Sequence, residues 1–155
     1  MDSLIRALEP DDIGILAQWI PSISLWQRYG VTETGIRSQL EKAYTQGDLL
    51  LVADWGESER ACGLAWILPK GAFGRSPYLK LLGTRLAGQG IGAALLNHTE
   101  QAVSIFTNEL FLLVSDFNLD GQRFYQREGY RQVGALAGYV LPDVTELVLW
   151  KKLHV

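Results

Sequence analysis

A chain of 155 residues, 48% of them hydrophobic and 20% charged, has room for one domain with its own core and little room for two. Its net charge of −3 argues against a nucleic-acid partner, and its single cysteine, Cys62, excludes a disulfide framework and a cysteine-rich metal site. No stretch nears the roughly 18 apolar residues of a membrane span, and the start, MDSLIRALEPDD, lacks the basic and apolar regions of a signal peptide. The expectation is one cytoplasmic domain over 1–155, with no metal, no nucleic acid and no membrane.

Residues 3–8 read as a short strand ending at Glu9-Pro10. Asp11 or Asp12 is placed to cap a helix over 12–20, which Pro21 closes. SISLWQRYG comes next as a loop carrying Trp26 and Tyr29. Thr32, three residues before Gly35, caps a second helix over about 33–46, and Gly47 ends it. Residues 48–55 and 61–68 are two strands of a hairpin around the turn GESER. PKGAFGRSP (69–77) reads as a Pro/Gly-rich connection, and YLKLLGT (78–84) as a strand. Ile91, Leu95, Ala102 and Phe106 set a helical period over 91–106. A buried strand over 109–115, a short helix over 119–128 stopped by Gly129, and strands over 130–136 and 145–153 complete the chain. The order is that of an α/β or α+β domain with a mixed sheet.

The stretch RLAGQGIGAALL (85–96) joins a strand to a helix through Gly88, Gly90 and Gly92. Bare backbone at a helix start lets a phosphate approach the free amides. A dinucleotide-binding turn is one reading: Gly88, Gly90 and Ala93 fit its glycine pattern, and Asp116 ends the next strand. Three residues, Arg85-Leu86-Ala87, separate the strand from the glycines, and the chain beyond Asp116 is too short for a doubly wound sheet. A Walker loop is excluded because the glycines lead into no Gly-Lys-Ser/Thr.

The other reading resembles the GNAT superfamily of N-acetyltransferases, which bind acetyl-CoA. The family's pyrophosphate loop, Arg/Gln-x-x-Gly-x-Gly/Ala, is matched by Ala87-Gly88-Gln89-Gly90-Ile91-Gly92, with Ala87 where the family has Arg or Gln. Arg85 stands nearby as a substitute charge. A second signature, Asn-x-x-Ala-x-x-Phe-Tyr-x-x-x-Gly-Phe, is matched by Asn118, Gly121, Phe124-Tyr125 and Gly129-Tyr130. The resemblance covers essentially the whole chain in element order. It implies a central mixed, mostly antiparallel sheet of about seven strands flanked by about four helices.

It also implies roles. Amides from Gly88 to Gly92 would take the pyrophosphate of acetyl-CoA without a metal. Leu81, Leu82 and Gly83 would pair with its peptide-like arm. The Leu82 amide would face the thioester oxygen, and Tyr125 would protonate the departing thiolate. Asn118 would position the cofactor or simply cap the next helix. Trp26, Tyr29, Phe73 and Tyr139 lie in regions that line the acceptor site in the family. For the general base, Asp116, Glu33 and a water chain all stay open. The remaining candidates read as packing or surface: Cys62 as core, Trp55, Trp66 and Trp150 as strand packing, His98 as a surface residue and His154 as tail. The resemblance thus implies transfer of an acetyl group to a primary amine of a small molecule. Acceptors on a protein N-terminus or lysine, and a non-catalytic acyl-CoA-binding module, are the alternatives. A homodimer fits the family as well.

Overall fold

A computed structural model describes residues 3–153, so His154 lies outside the described residues. In chain order the elements are β1 (Ser3–Ala7), α1 (Asp12–Trp19), a 3-10 turn (Ile20–Ser22), α2 (Ser24–Arg28), α3 (Glu33–Gln46), β2 (Leu49–Trp55), β3 (Glu59–Ala72), β4 (Ser76–Thr84), α4 (Ile91–Val103), β5 (Glu109–Ser115), α5 (Leu119–Arg127), β6 (Arg131–Ala137) and β7 (Thr145–Lys152). The strands lie in the order β1-β2-β3-β4-β5-β7-β6. The β4–β5 pair is parallel, through Tyr78 opposite Phe111 and Leu79 opposite Leu112. The β1–β2, β2–β3, β5–β7 and β6–β7 pairs are antiparallel. This is the mixed, mostly antiparallel seven-stranded sheet expected, with five helices where about four were.

Three local expectations need correction. The loop after α1 is helical: Pro21 sits in the first turn of the 3-10 segment, where its fixed φ starts a helix and does not merely stop one. The 69–77 connection is a hairpin. β3 runs on to Ala72, and the Arg75 amide bonds the Ala72 carbonyl at 3.1 Å. The two residues inside that turn, Phe73 and Gly74, have φ of 60° and 67°, the left-handed pair of a type I′ turn. α4 stops at Val103 and not at 106, because Phe106 is 56% exposed and its place in the helical period faces no core.

The cap expectations fare unevenly. Thr32 accepts the Gly35 amide, and Gly47 closes α3 at φ 83°. Neither Asp11 nor Asp12 caps α1 in the expected way. Asp11 makes no side-chain cap bond. Asp12 is buried, and its carboxylate takes the Glu9 amide at 2.8 Å and the Arg6 guanidinium.

By contacts the chain forms two compact units, one of Met1–Ile67 and Leu81–Thr99, the other of Leu68–Lys80 and Glu100–Val155. In the first, Leu16, Ile20, Leu40, Leu64, Ile91 and Leu95 are fully buried. Gly63 lets α4 settle on β3: a Cβ there would meet Leu95 at 2.9 Å and Ile91 at 3.1 Å. An ion cluster closes one edge of this unit. Arg6 bonds Asp12 at 2.8 and 2.9 Å and Asp54 at 2.8 and 3.1 Å, while Asp54 also accepts the Ala61 amide at 2.8 Å. In the second unit, Val103, Leu110 and Leu112 form the innermost layer. There Lys151 and the Tyr130 hydroxyl share the Glu100 carboxylate, at 2.9 and 2.8 Å.

Candidate active site

In the first unit the candidate groups gather where β4 gives way to α4. Gly88 and Gly90 both have φ of 74°, a conformation that costs an L side chain roughly 1–2 kcal/mol. A Cβ at either would stand in open space. Glycine is therefore required here by the backbone and not by a crowding neighbour. The Gly90 carbonyl accepts the Ala94 amide at 3.1 Å, the first bond of the helix ladder. The amides of Ile91, Gly92 and Ala93 come before that ladder can reach them, so α4 presents a donor-rich, partly positive end. The loop is exposed from Ala87 to Gly90. It is anchored behind: the Arg85 amide bonds the Cys62 carbonyl at 2.7 Å, and the Thr84 hydroxyl bonds the same carbonyl at 3.2 Å. The Arg85 side chain pairs with Glu59.

Leu81, Leu82 and Gly83 are half-buried on β4. Trp26, carried by α2, sets the edge of its indole against Gly83, Cη2 foremost. A Cβ on Gly83 would meet the indole Cζ3 at 2.8 Å and Cζ2 at 3.2 Å, and would overlap Cη2. The structure thus brings one acceptor-site candidate onto the strand of the cofactor candidates. Tyr29 comes directly after α2 and is half-buried. Gly83→Ala is expected to dislodge Trp26 and cost about 1–3 kcal/mol, because a rigid ring cannot bend away from the added methyl. Urea unfolding and near-UV circular dichroism check this. An unchanged tryptophan signal with unchanged stability would refute the contact.

In the second unit, α5 carries Tyr125. Its ring packs edge-on against Phe124 and Tyr130, with centroids 5.1 and 5.8 Å away. Burial, and then the nearby Tyr78, push its phenol well above the ordinary tyrosine value, so it stays protonated at neutral pH. The protein supplies no hydrogen-bond partner for this hydroxyl among the described residues. Among the described residues no hydrogen-bonding side-chain atom is both fully buried and unpaired, so the hydroxyl keeps a small contact with solvent while its ring is enclosed. Asn118 does cap α5, accepting the Gly121 amide at 3.0 Å. A Cβ at Gly121 would press on the capping Asn118 side chain, whose amide carbon is 2.8 Å away, so the side chain would have to shift.

Asp116 and Asn118 sit at the C-terminal end of β5. There the Asp116 carboxylate accepts the Thr145 amide at 3.2 Å, and the loop bearing Tyr139 returns into β7. Phe73 sits at the other end: its ring meets Phe111, at 5.6 Å between centroids. Phe111 and Ser115 are four residues apart along β5, roughly 13 Å. Phe73 and Tyr139 are therefore not neighbours. Glu33 lies in the exposed first turn of α3.

Cys62 is fully buried, as expected of a core residue, and burial pushes its thiol up. His98 is exposed, its Nδ1 2.9 Å from the Ala94 carbonyl. Trp66 is buried and bonds Asp48. No helix among the described residues is long and apolar enough to cross a membrane.

No protein-family model matches the chain, and no curated protein matches it in sequence. Solved structures do match over nearly its whole length. A GNAT-family acetyltransferase from Bacillus cereus superposes with a TM-score of 0.82 at 12% identity, covering 100% of both chains. A ribosomal-protein-alanine N-acetyltransferase from Brucella melitensis gives 0.76 at 21% identity, over 97% of this chain and 99% of that one. The PaiA N-acetyltransferase from Thermoplasma acidophilum, solved with coenzyme A, gives 0.71 at 19% identity, over 98% and 99%. The chain has the fold of the GNAT acetyltransferases.

Proposed function

We propose that this chain is an acetyl-CoA-dependent N-acetyltransferase that moves the acetyl group to a primary amine of a small molecule. The loop between β4 and α4 carries the reading. Two left-handed glycines turn its amides at the head of a helix, with open space where side chains would otherwise stand. That arrangement suits a pyrophosphate without a metal. The whole-chain likeness to acetyltransferase folds supports it, as does the retained Tyr125.

In this reading residues 87–92 and Asn118 hold coenzyme A, with Arg85 lending charge once released from Glu59. Leu81 and Gly83 pair with the pantetheine arm. The acceptor amine attacks the thioester carbon directly. The Leu82 amide donates to the oxygen that gains charge, and the Tyr125 phenol gives its proton to the sulfur as the C–S bond breaks. Water, Asp116 or Glu33 takes the proton from the amine. Trp26, Tyr29 and Tyr139 are kept as the acceptor-site candidates, while Phe73, at the other end of β5 from the Tyr139 loop, is not. A protein N-terminus is the second reading, favoured by the ribosomal-protein-alanine enzyme among the fold neighbours.

Acetyl-CoA at 100 times its dissociation constant is expected to add about 2.7 kcal/mol of stability, and NAD none. Thermal unfolding with each ligand measures this, and an amine panel read by thiol release then finds the acceptor. Stabilisation by NAD alone would overturn the proposal.

A further inference from the structure

The hairpin tip between β3 and β4 places an aromatic ring where it gains little from the protein. Phe73 is 85% exposed despite its edge contact with Phe111. It also holds a left-handed backbone that asparagine or glycine would adopt at lower cost. Its neighbours are unusual in the same way. Arg75 and Ser76 of the hairpin and residues 104–109 after α4 border one open cavity, so the two turns stand side by side. The second turn presents Ile105, 87% exposed, and Phe106. Three large apolar side chains thus project from adjacent turns of the second unit.

The charge around them is one-sided. Lys70 and Arg75 flank Phe73 on the hairpin, and Lys152 lies opposite Glu109 in the β5–β7 pairing. All three are exposed, and none has a carboxylate partner among the described residues. The nearby Glu109 carboxylate is occupied by the Ser76 hydroxyl at 3.2 Å and the Trp150 indole at 2.9 Å. A chain of net charge −3 therefore concentrates unpaired cations around its most protruding apolar tips. Apolar projections ringed by lysine and arginine match a surface that is apolar inside and anionic outside. Protein interfaces are depleted of lysine, whereas here Lys70 and Lys152 stand beside the apolar tips.

We propose that these two turns dock the protein on an anionic phospholipid surface, with Phe73, Ile105 and Phe106 entering the interface and Lys70, Arg75 and Lys152 facing the headgroups. Lacking a spanning helix does not bear on this, because surface binding needs none. The proposal departs from the sequence-based expectation of no membrane partner. It is independent of the acetyltransferase reading.

Flotation of the full chain with phosphatidylcholine vesicles, with and without phosphatidylglycerol, tests it. Binding is expected only with the anionic lipid and should weaken as salt rises. Phe73→Asn should weaken it about tenfold or more, since the ring no longer enters the apolar layer, while leaving thermal stability unchanged or raised because asparagine suits the turn. Ile105→Ser, outside both turn strain and core, should weaken it too. Absent binding to anionic vesicles at low salt overturns the proposal. So does binding that both substitutions leave intact, which would be diffuse electrostatic attraction. Self-association abolished by Phe73→Asn, without vesicle binding, would assign the tips to a second copy of the chain and overturn it equally.

Discussion

Tyr125→Phe is expected to lower kcat on the order of 100-fold and leave acetyl-CoA affinity nearly unchanged. The substitution removes one hydroxyl and keeps the ring, so the edge contacts to Phe124 and Tyr130 survive. That hydroxyl has no partner in the protein among the described residues, so its loss leaves nothing unpaired. Burial holds the phenol protonated through neutral pH, which suits a donor and not a base. A group that donates only as the sulfur leaves acts in the transition state, and general acids of this kind contribute about 10²- to 10⁴-fold. The measurement is kcat at saturating acetyl-CoA and acceptor, beside the coenzyme A dissociation constant. Wild-type kcat would make Tyr125 a packing residue. A slow variant that had merely lost coenzyme A would lead to the same conclusion.

Arg6→Met should unfold a large part of the population under mild stress. One guanidinium holds two carboxylates, Asp12 with its side chain 1% exposed and Asp54 with 13%. Burial alone would raise Asp12, but the Arg6 hydrogen bonds, the Glu9 amide and the nearby cations together hold it below its usual value. Asp54 is held down first by its Arg6 hydrogen bonds, against a smaller burial effect. Removing the cation leaves buried charge whose nearest other positive group, Arg60, is 3.9 Å from Asp12. The cost is about 3–5 kcal/mol, a large share of the roughly 5–15 kcal/mol of an ordinary domain.

The pH dependence should reverse as well. In the wild type the folded carboxylates bind protons less readily than the unfolded ones. Their contribution is present above about pH 4 and is lost as pH falls below it through their folded values. In the variant, burial of Asp12 is opposed only by the Glu9 amide and Arg60 and no longer by the Arg6 hydrogen bonds, so its folded state takes up protons more readily than in the wild type and acidification from neutral pH towards 5 should recover stability. Urea midpoints across that range measure both effects. A loss under about 1 kcal/mol, or a midpoint falling on acidification, would contradict the account.

How far the sequence carries differs from element to element. β5 matches its expected bounds, because seven mostly apolar residues between polar flanks have few other uses. α3 is legible at both ends through Thr32 and Gly47. α2 is not, because proline and short polar stretches read as punctuation, while Pro21 in fact opens a turn. The hairpin at Phe73 is hidden because its left-handed turn has a phenylalanine where asparagine or glycine would announce it. At the site, Gly88 and Gly90 are legible since positive φ selects glycine directly. The seat of Trp26 on Gly83 and the sharing of Arg6 by Asp12 and Asp54 are not. Both join residues remote in sequence, and nothing local marks either glycine or aspartate for its partner.

Cys62, the chain's one thiol, lies beneath the loop that its own carbonyl anchors through Arg85 and Thr84. A disulfide reagent added to the folded protein therefore meets no accessible sulfur. In a thiol-release assay the colour belongs to coenzyme A alone, with no blank from the enzyme. Conversely, slow labelling of Cys62 clocks the opening of β3 at the point where the glycine loop is tied down. Any ligand that grips that loop should retard the clock, which turns an inert core atom into a reporter of occupancy without substitution or dye.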